Sequence, residues 1–143
     1  MLGNLIYRIG NKRAEDIIGK IKSFIDGKQK IIDIGCGTCN ISEILMAKGH
    51  SVFPIDVKNL SYCEVKPQIF DGKEIPYKTN EFDLALLISV LHHAPDPQNL
   101  VREAKRVAKE IVIIEDAVLH NSKIIPYQST VSYQPPFFLQ HTF

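Results

Sequence analysis

The stretch Ile31-Ile32-Asp33-Ile34-Gly35-Cys36-Gly37-Thr38 constrains this chain more than any other. A short β-branched run is a buried strand, and two glycines directly after it make a turn. Ile41, Ile44 and Leu45 then recur at helical spacing until Gly49 stops the pattern. Strand, glycine turn and helix in direct succession build a nucleotide-type site. The glycines let the backbone approach a ligand, and the helix start presents unpaired N–H groups. Asp56 closes the next apolar run, 23 residues after Asp33, where an acid is placed to accept ribose hydroxyls. Two features weigh against a pyrophosphate over the turn. Asn40 stands where the third glycine of a G-x-G-x-x-G pattern would be. Asp33 directly precedes the turn, and a carboxylate repels phosphate while attracting an ammonium or sulfonium group.

The remaining elements continue the alternation. Ala14, Ile17, Ile18, Ile21, Phe24 and Ile25 predict an amphipathic helix over 11–26, ended by Gly27. Ser51 to Ile55 reads as a second strand, and residues 59–66 are too irregular for a helix. Gln68 to Phe70 reads as a short strand before Asp71-Gly72. Phe82 to Ile88 is almost continuously apolar, as a strand covered on both faces of a parallel sheet must be. Asp96-Pro97 is a helix start, with Leu100, Val101, Ala104, Val107 and Ala108 as its buried stripe. The Lys and Arg residues of 102–109 read as its solvated face. Ile111 to Ile114 is a fifth strand, ending at Glu115-Asp116. The order predicts an α/β, doubly wound, mostly parallel sheet.

Composition sets the outer bounds. With 143 residues, 45% of them apolar, the chain is one soluble globular domain in size and content. A net charge of +1 gives no sign of nucleic-acid or membrane-surface binding. The run Leu84 to Leu91 is too short to span a bilayer, and no basic-then-apolar leader opens the chain. Three cysteines, an odd count, suit a reducing cytoplasm better than a disulfide scaffold. After Asp116 the composition changes: residues 117–143 hold one charged residue, Lys123, and no glycine. The expected organisation is a domain over 1–116 followed by an atypical tail over 117–143. The tail is expected to lie in short pieces against its own sheet or against a second copy.

These residues resemble those of the class I S-adenosylmethionine-dependent methyltransferases, from about Arg13 to Asp116. Asp33-Ile34-Gly35-Cys36-Gly37-Thr38 looks like the family's first motif, and Asp56 like its ribose-binding acid. Asp71-Gly72 is similar to the acid and small residue that meet the adenine. Ile75 to Leu84 resembles the stretch entering the fourth strand. Ser89-Val90-Leu91-His92-His93 and Asp96-Pro97 resemble the turn after it. Cys39 departs from the family's usual third glycine. The tail is too short and unusual for the family's closing helix and strand pair, so the resemblance implies a Rossmann-like sheet lacking that last pair.

The resemblance implies methyl transfer from S-adenosylmethionine to a small-molecule acceptor. Asp33 and the backbone of Gly35, Cys36 and Gly37 would hold the methionine moiety. Asp56 would hold the ribose, Asp71 and Gly72 the adenine, and Ser89 and Val90 would lie near the sulfonium. No catalytic residue is assigned; His92, His93 and Asp116 are candidates, histidine having the pKa of a general base near neutral pH. Two other classes stay open. A nicotinamide-dependent oxidoreductase would need a phosphate-friendly turn, which Asp33 and Asn40 argue against. A shortened, non-catalytic cofactor-binding or scaffold module is the other. Cys36 and Cys39 form a C-x-x-C that adjacent strands could bring near His92 and His93, but no metal is expected because the glycine loop already accounts for the cysteines. Cys63 reads as a buried structural residue. A homodimer through the sheet edge or the tail is the expected self-association.

Overall fold

In the computed structural model, residues 2–115, 130–134 and 139–142 are described, the side chains as far as Glu115. The elements in chain order are α1 (Leu2–Ile25), β1 (Lys30–Ile34), α2 (Asn40–Ala47), β2 (Ser51–Asp56), β3 (Gln68–Ile69), β4 (Phe82–Ile88), α3 (Pro97–Val107), β5 (Ala108–Glu115), β6 (Thr130–Gln134) and β7 (Leu139–Thr142). Among the described residues they form one sheet in the order β3-β2-β1-β4-β5-β6-β7. The first five strands are parallel, with Ile32 beside Phe53 on one side and Ala85 on the other.

Alternation along the strands divides the core. Ile31, Leu84, Leu86 and Ile88 face α1 and α2, where they meet Ile17, Ile21 and Leu45. Ile32, Ala85 and Leu87 face the other way and meet Leu100, Ala104 and Val107 of α3. Helices on both faces leave β1 and β4 no solvent side, which is why their sequences are apolar apart from Lys30, Asp33 and Asp83. Each fully buried Ile or Leu contributes about 1.5–3 kcal/mol, so these two layers carry the fold. The Asp96 side chain caps α3 by accepting from Asn99 N–H at 2.9 Å.

Three details differ from the sequence expectations. Helix α1 begins at Leu2, nine residues before the expected start. Its buried residues all lie from Ala14 onward, while Leu2, Leu5 and Ile9 are exposed, so no amphipathic stripe marks the first half. Arg106 does not belong to a freely solvated face. Its guanidinium donates to Tyr77 O at 2.7 Å and Ile75 O at 2.8 Å, and to both oxygens of Glu103. The planar fork thereby pins the segment before β4 onto α3.

The parallel part of the sheet ends at β5, as expected without the closing pair. The sheet nevertheless continues by two short antiparallel strands, and β6 covers the edge of β5 from Ile111↔Gln134 to Glu115↔Thr130. The physical reason is the cost of an open edge: unpaired N–H and C=O groups on β5 recruit whatever strand-forming segment is at hand. Thr130, Val131 and Tyr133 are good strand formers. This agrees with a tail lying in short pieces against its own sheet.

Candidate functional site

Strand β1 has β2 on one side and β4 on the other, and the chain leaves it in opposite directions on the two sides. Such a switch point opens a crevice beyond the carboxyl ends of the strands. Here the crevice is a cavity of about 720 Å³, within the usual range of about 300–1,000 Å³ for small-molecule sites. Its walls come from the glycine turn, the ends of β2 and β4, and α1 crossing above.

The glycine turn is built by backbone necessity. Gly35 and Gly37 have φ of +72° and +54°, values that side chains rarely adopt. Gly35 is also tight: a Cβ there would fall 2.1 Å from Val90 Cγ2, so the β1 and β4 turns touch through it. A Cβ on Gly37 would meet nothing within 4 Å. Gly35 N–H and Cys36 N–H both donate to Ile55 O, at 2.9 and 3.2 Å, which ties the turn to β2.

Asp56 fastens the same turn. Its Oδ2 accepts from Gly37 N–H at 2.8 Å, and its Oδ1 from Val57 N–H at 2.7 Å and Lys58 N–H at 3.3 Å. A carboxylate offers about four acceptor sites, so the lone pair left on Oδ2 is the one open to a ligand. The bond to Gly37 has a further consequence: the amide that a phosphate would use already serves a carboxylate.

Asp33 ends buried, 2% exposed, in the cavity wall. Burial raises its pKa to about 6; the Ser42 hydroxyl, donating to Oδ2 at 2.7 Å, opposes the rise and the negative charge of Asp56 adds to it. Among the described residues no cationic side chain pairs with it. The cavity therefore presents a buried acid that a cation would stabilise.

The other sequence candidates separate. Cys36, Gly72, Ser89, Val90, His92 and His93 all line the cavity. The carboxylate of Asp71 lies on the turn, where Oδ1 accepts from Lys73 N–H at 2.7 Å and Glu74 N–H at 3.0 Å; those bonds hold its pKa below the usual range. Asp116 lies outside the described residues. The thiols of Cys36 and Cys39 approach to 3.3 Å. The hydrogen bond between them holds the Cys39 thiol down and pushes that of Cys36 up, burial adding to the rise. Cys63 is buried beside the Cys39 carbonyl, its Sγ 3.9 Å from that oxygen. Among the described residues no three His, Cys, Asp or Glu side chains are grouped to hold a metal.

Four residues at the site have partners that a strand-and-turn reading does not reveal. Gly10 of α1 sits where a Cβ would come within 2.7 Å of Asn40 Oδ1. Asn40 Nδ2 in turn donates to Asn11 Oδ1 at 2.6 Å and Tyr7 O at 3.3 Å. An asparagine in place of the third glycine thus locks α1 over the turn. Arg13 donates to Ser89 Oγ at 2.7 Å, spanning the cavity from α1 to the end of β4. Glu115 is the fourth. Its Oε1 accepts from Val90 N–H at 3.0 Å and Leu91 N–H at 2.7 Å, while its Oε2 lies 2.6 Å from His92 Nδ1. The glycine of Gly10 inside an otherwise helical run was the one available hint.

Residues 32–114 match the family model described as "Methyltransferase domain". A ubiquinone biosynthesis O-methyltransferase of Pseudomonas putida (strain W619) is 27% identical over 93 residues, covering 57% of this chain and 40% of that protein. The chain therefore spans about two-fifths of the length of such curated relatives. A SAM-dependent methyltransferase of Aquifex aeolicus superposes with a TM-score of 0.58 at 20% identity, over 79% of this chain and 69% of that one. The cyclase SpnF superposes equally, with a TM-score of 0.58 at 22% identity over 74% of this chain and 44% of its own. Likenesses at that identity establish the shared fold, while the match of the family model over most of the sheet establishes kinship: the chain belongs to the class I S-adenosylmethionine-dependent methyltransferase family.

Proposed function

We propose that the cavity binds S-adenosylmethionine and that the chain transfers its methyl group to a small acceptor. The observation that carries this reading is Asp33, a buried carboxyl in the cavity wall without a cationic partner among the described residues. The donor brings an ammonium and a sulfonium, and either supplies the missing charge. The Gly37 amide held by Asp56 argues in the same direction, because a dinucleotide would need that N–H for phosphate.

On this reading the wall formed by Asp33, Gly35, Cys36 and Gly37 holds the methionine moiety. Asp56 takes a ribose hydroxyl on the free lone pair of Oδ2, and Gly72 borders the adenine. Asp71 shapes the turn before it. Ser89 and Val90 border the sulfonium. The bound donor supplies an already activated methyl group. The protein's own part is alignment and exclusion of water, which Arg13 and Asn40 serve by holding α1 across the cavity. The domain is 1–116, followed by a tail whose described strands, β6 and β7, extend the sheet. A second copy would pair at an outer strand, β3 or β7.

Three free thiols fit a reducing cytoplasm. Among the described residues no helix is long and apolar enough to cross a membrane. A second reading, a cofactor-binding module without methyl transfer, is favoured by one observation: the same fold serves the cyclase SpnF.

Calorimetry with S-adenosylmethionine, S-adenosylhomocysteine and NAD tests the cofactor. Both sulfur ligands should bind and raise the melting temperature, and NAD should do neither. Binding of NAD alone would overturn the assignment.

A further inference from the structure

The end of β5 carries a feature that cofactor binding does not use. Glu115 reaches across to the turn after β4, where its Oε1 takes two backbone N–H groups and its Oε2 takes His92 Nδ1 at 2.6 Å. A carboxylate bonded in this way leaves Nδ1 one role, that of donor. In the neutral ring the proton is then on Nδ1 and the lone pair on Nε2. His92 lines the cavity, and among the described residues Nε2 has no hydrogen-bond partner. The ring of His93 lies against it, with centroids 4.0 Å apart.

The geometry points to His92 as the general base of methyl transfer, with Glu115 as its positioning residue and an acidified hydroxyl, a phenol or enol, as the acceptor. This rests on the cofactor reading above. The acceptor class follows from what a neutral imidazole can do. An aliphatic hydroxyl holds its proton too tightly, a thiol ionises unaided, and a neutral amine attacks first and loses its proton afterwards. A conjugated hydroxyl gains most from a base already in place. Phe70, Leu100 and Ile88 give the cavity apolar wall for an unsaturated ring.

In the step, the acceptor oxygen bonds to the methyl carbon as the carbon–sulfur bond breaks. The electron pair of that bond stays on sulfur and cancels its positive charge. The hydroxyl proton passes to His92 Nε2, and Glu115 offsets the charge of the imidazolium.

Two measurements test the assignment. Nitrogen-15 spectra of the histidine rings, which need no ligand, should show His92 protonated on Nδ1 and bare on Nε2. In Glu115→Gln the carboxamide N–H₂ would face Nδ1 and make it an acceptor, moving the proton to Nε2. A wild-type ring protonated on Nε2 overturns the proposal. The second uses 4-nitrophenol with protein saturated in S-adenosylhomocysteine, about one pH unit below the phenol's own pKa. Wild type should bind it as the yellow phenolate. His92→Phe should lose that colour, and Glu115→Gln should weaken it about tenfold, with the melting shift by S-adenosylhomocysteine retained in both. A phenol that fails to bind wild type, or binds it protonated, overturns the proposal. Loss of the S-adenosylhomocysteine shift in wild type speaks against the cofactor reading instead.

Discussion

Gly35 and Val90 touch so closely that a Cβ on the glycine would stand 2.1 Å from Val90 Cγ2. The pair joins the two turns that flank the switch point of the sheet. Gly35→Ala should therefore destabilise the protein by about 1–3 kcal/mol, the usual cost of overpacking a tight site. Val90→Ala in the same chain should recover part of that loss but not all, because φ at position 35 remains +72°. Urea denaturation of the two variants checks this. Full recovery in the double variant would show that the backbone angle costs nothing.

Asp33 makes stability depend on pH with an unusual sign for an acid. Its folded pKa, about 6, lies above the ordinary 3.8. The proton is thus held more tightly in the folded state. The contribution is fully present below about pH 4 and is lost as pH rises through 6, amounting to about 3 kcal/mol. Asp83 and Glu103 act oppositely: hydrogen bonds from the Lys30 amide and from Arg106 hold their pKa values down. Their stabilisation is present above the unfolded range and lost as pH falls. The test is accordingly the difference between wild type and Asp33→Asn, which should fall between pH 4 and 6. A difference flat across that range would remove the buried acid from the argument.

Asp56 is expected to matter twice. Asp56→Ala removes the acceptor of Gly37 N–H and of two exposed amides, and should cost about 0.5–1.5 kcal/mol in stability, the net worth of a typical hydrogen bond. It should also weaken S-adenosylhomocysteine binding by about 1.5–3 kcal/mol. Asp56→Asn keeps one acceptor oxygen and should retain more of the stability than of the affinity. Calorimetry alongside thermal melting separates the two effects. Unchanged affinity in a folded Asp56→Asn would take this residue out of the ligand site.

Arg106→Lys should behave almost as badly as Arg106→Ala. The guanidinium serves Tyr77 O, Ile75 O and Glu103 at once, a fork that an ammonium cannot copy. Each substitution should lower stability by about 1–3 kcal/mol, and hydrogen exchange should rise at the Ile75 and Tyr77 segment before it rises in β4. A Lys variant as stable as wild type would show that charge alone suffices.

The local chemistry of the chain already determined the elements near the site. The β-branched run of β1, its two glycines and the apolar run of β4 each specify their own conformation through short-range sterics and burial. For the same reason Asp33 and Asp56 were recognisable as strand-end acids. What those acids do was decided by neighbours distant in sequence. The Gly37–Asp56 bond exists because β1 and β2 pair in register, Ile34 beside Ile55. The raised pKa of Asp33 exists because other elements exclude water from it. The His92–Glu115 pair spans 23 residues and forms because β4 and β5 run side by side. Helix α1 closes over the cavity through Gly10, Asn40, Arg13 and Ser89, which no local pattern connects. Strand β6 has no identity until the edge of β5 offers it a ladder. Conformation follows from nearest neighbours along the chain, whereas charge state, tautomer and edge pairing follow from neighbours in space, and those only the folded sheet supplies.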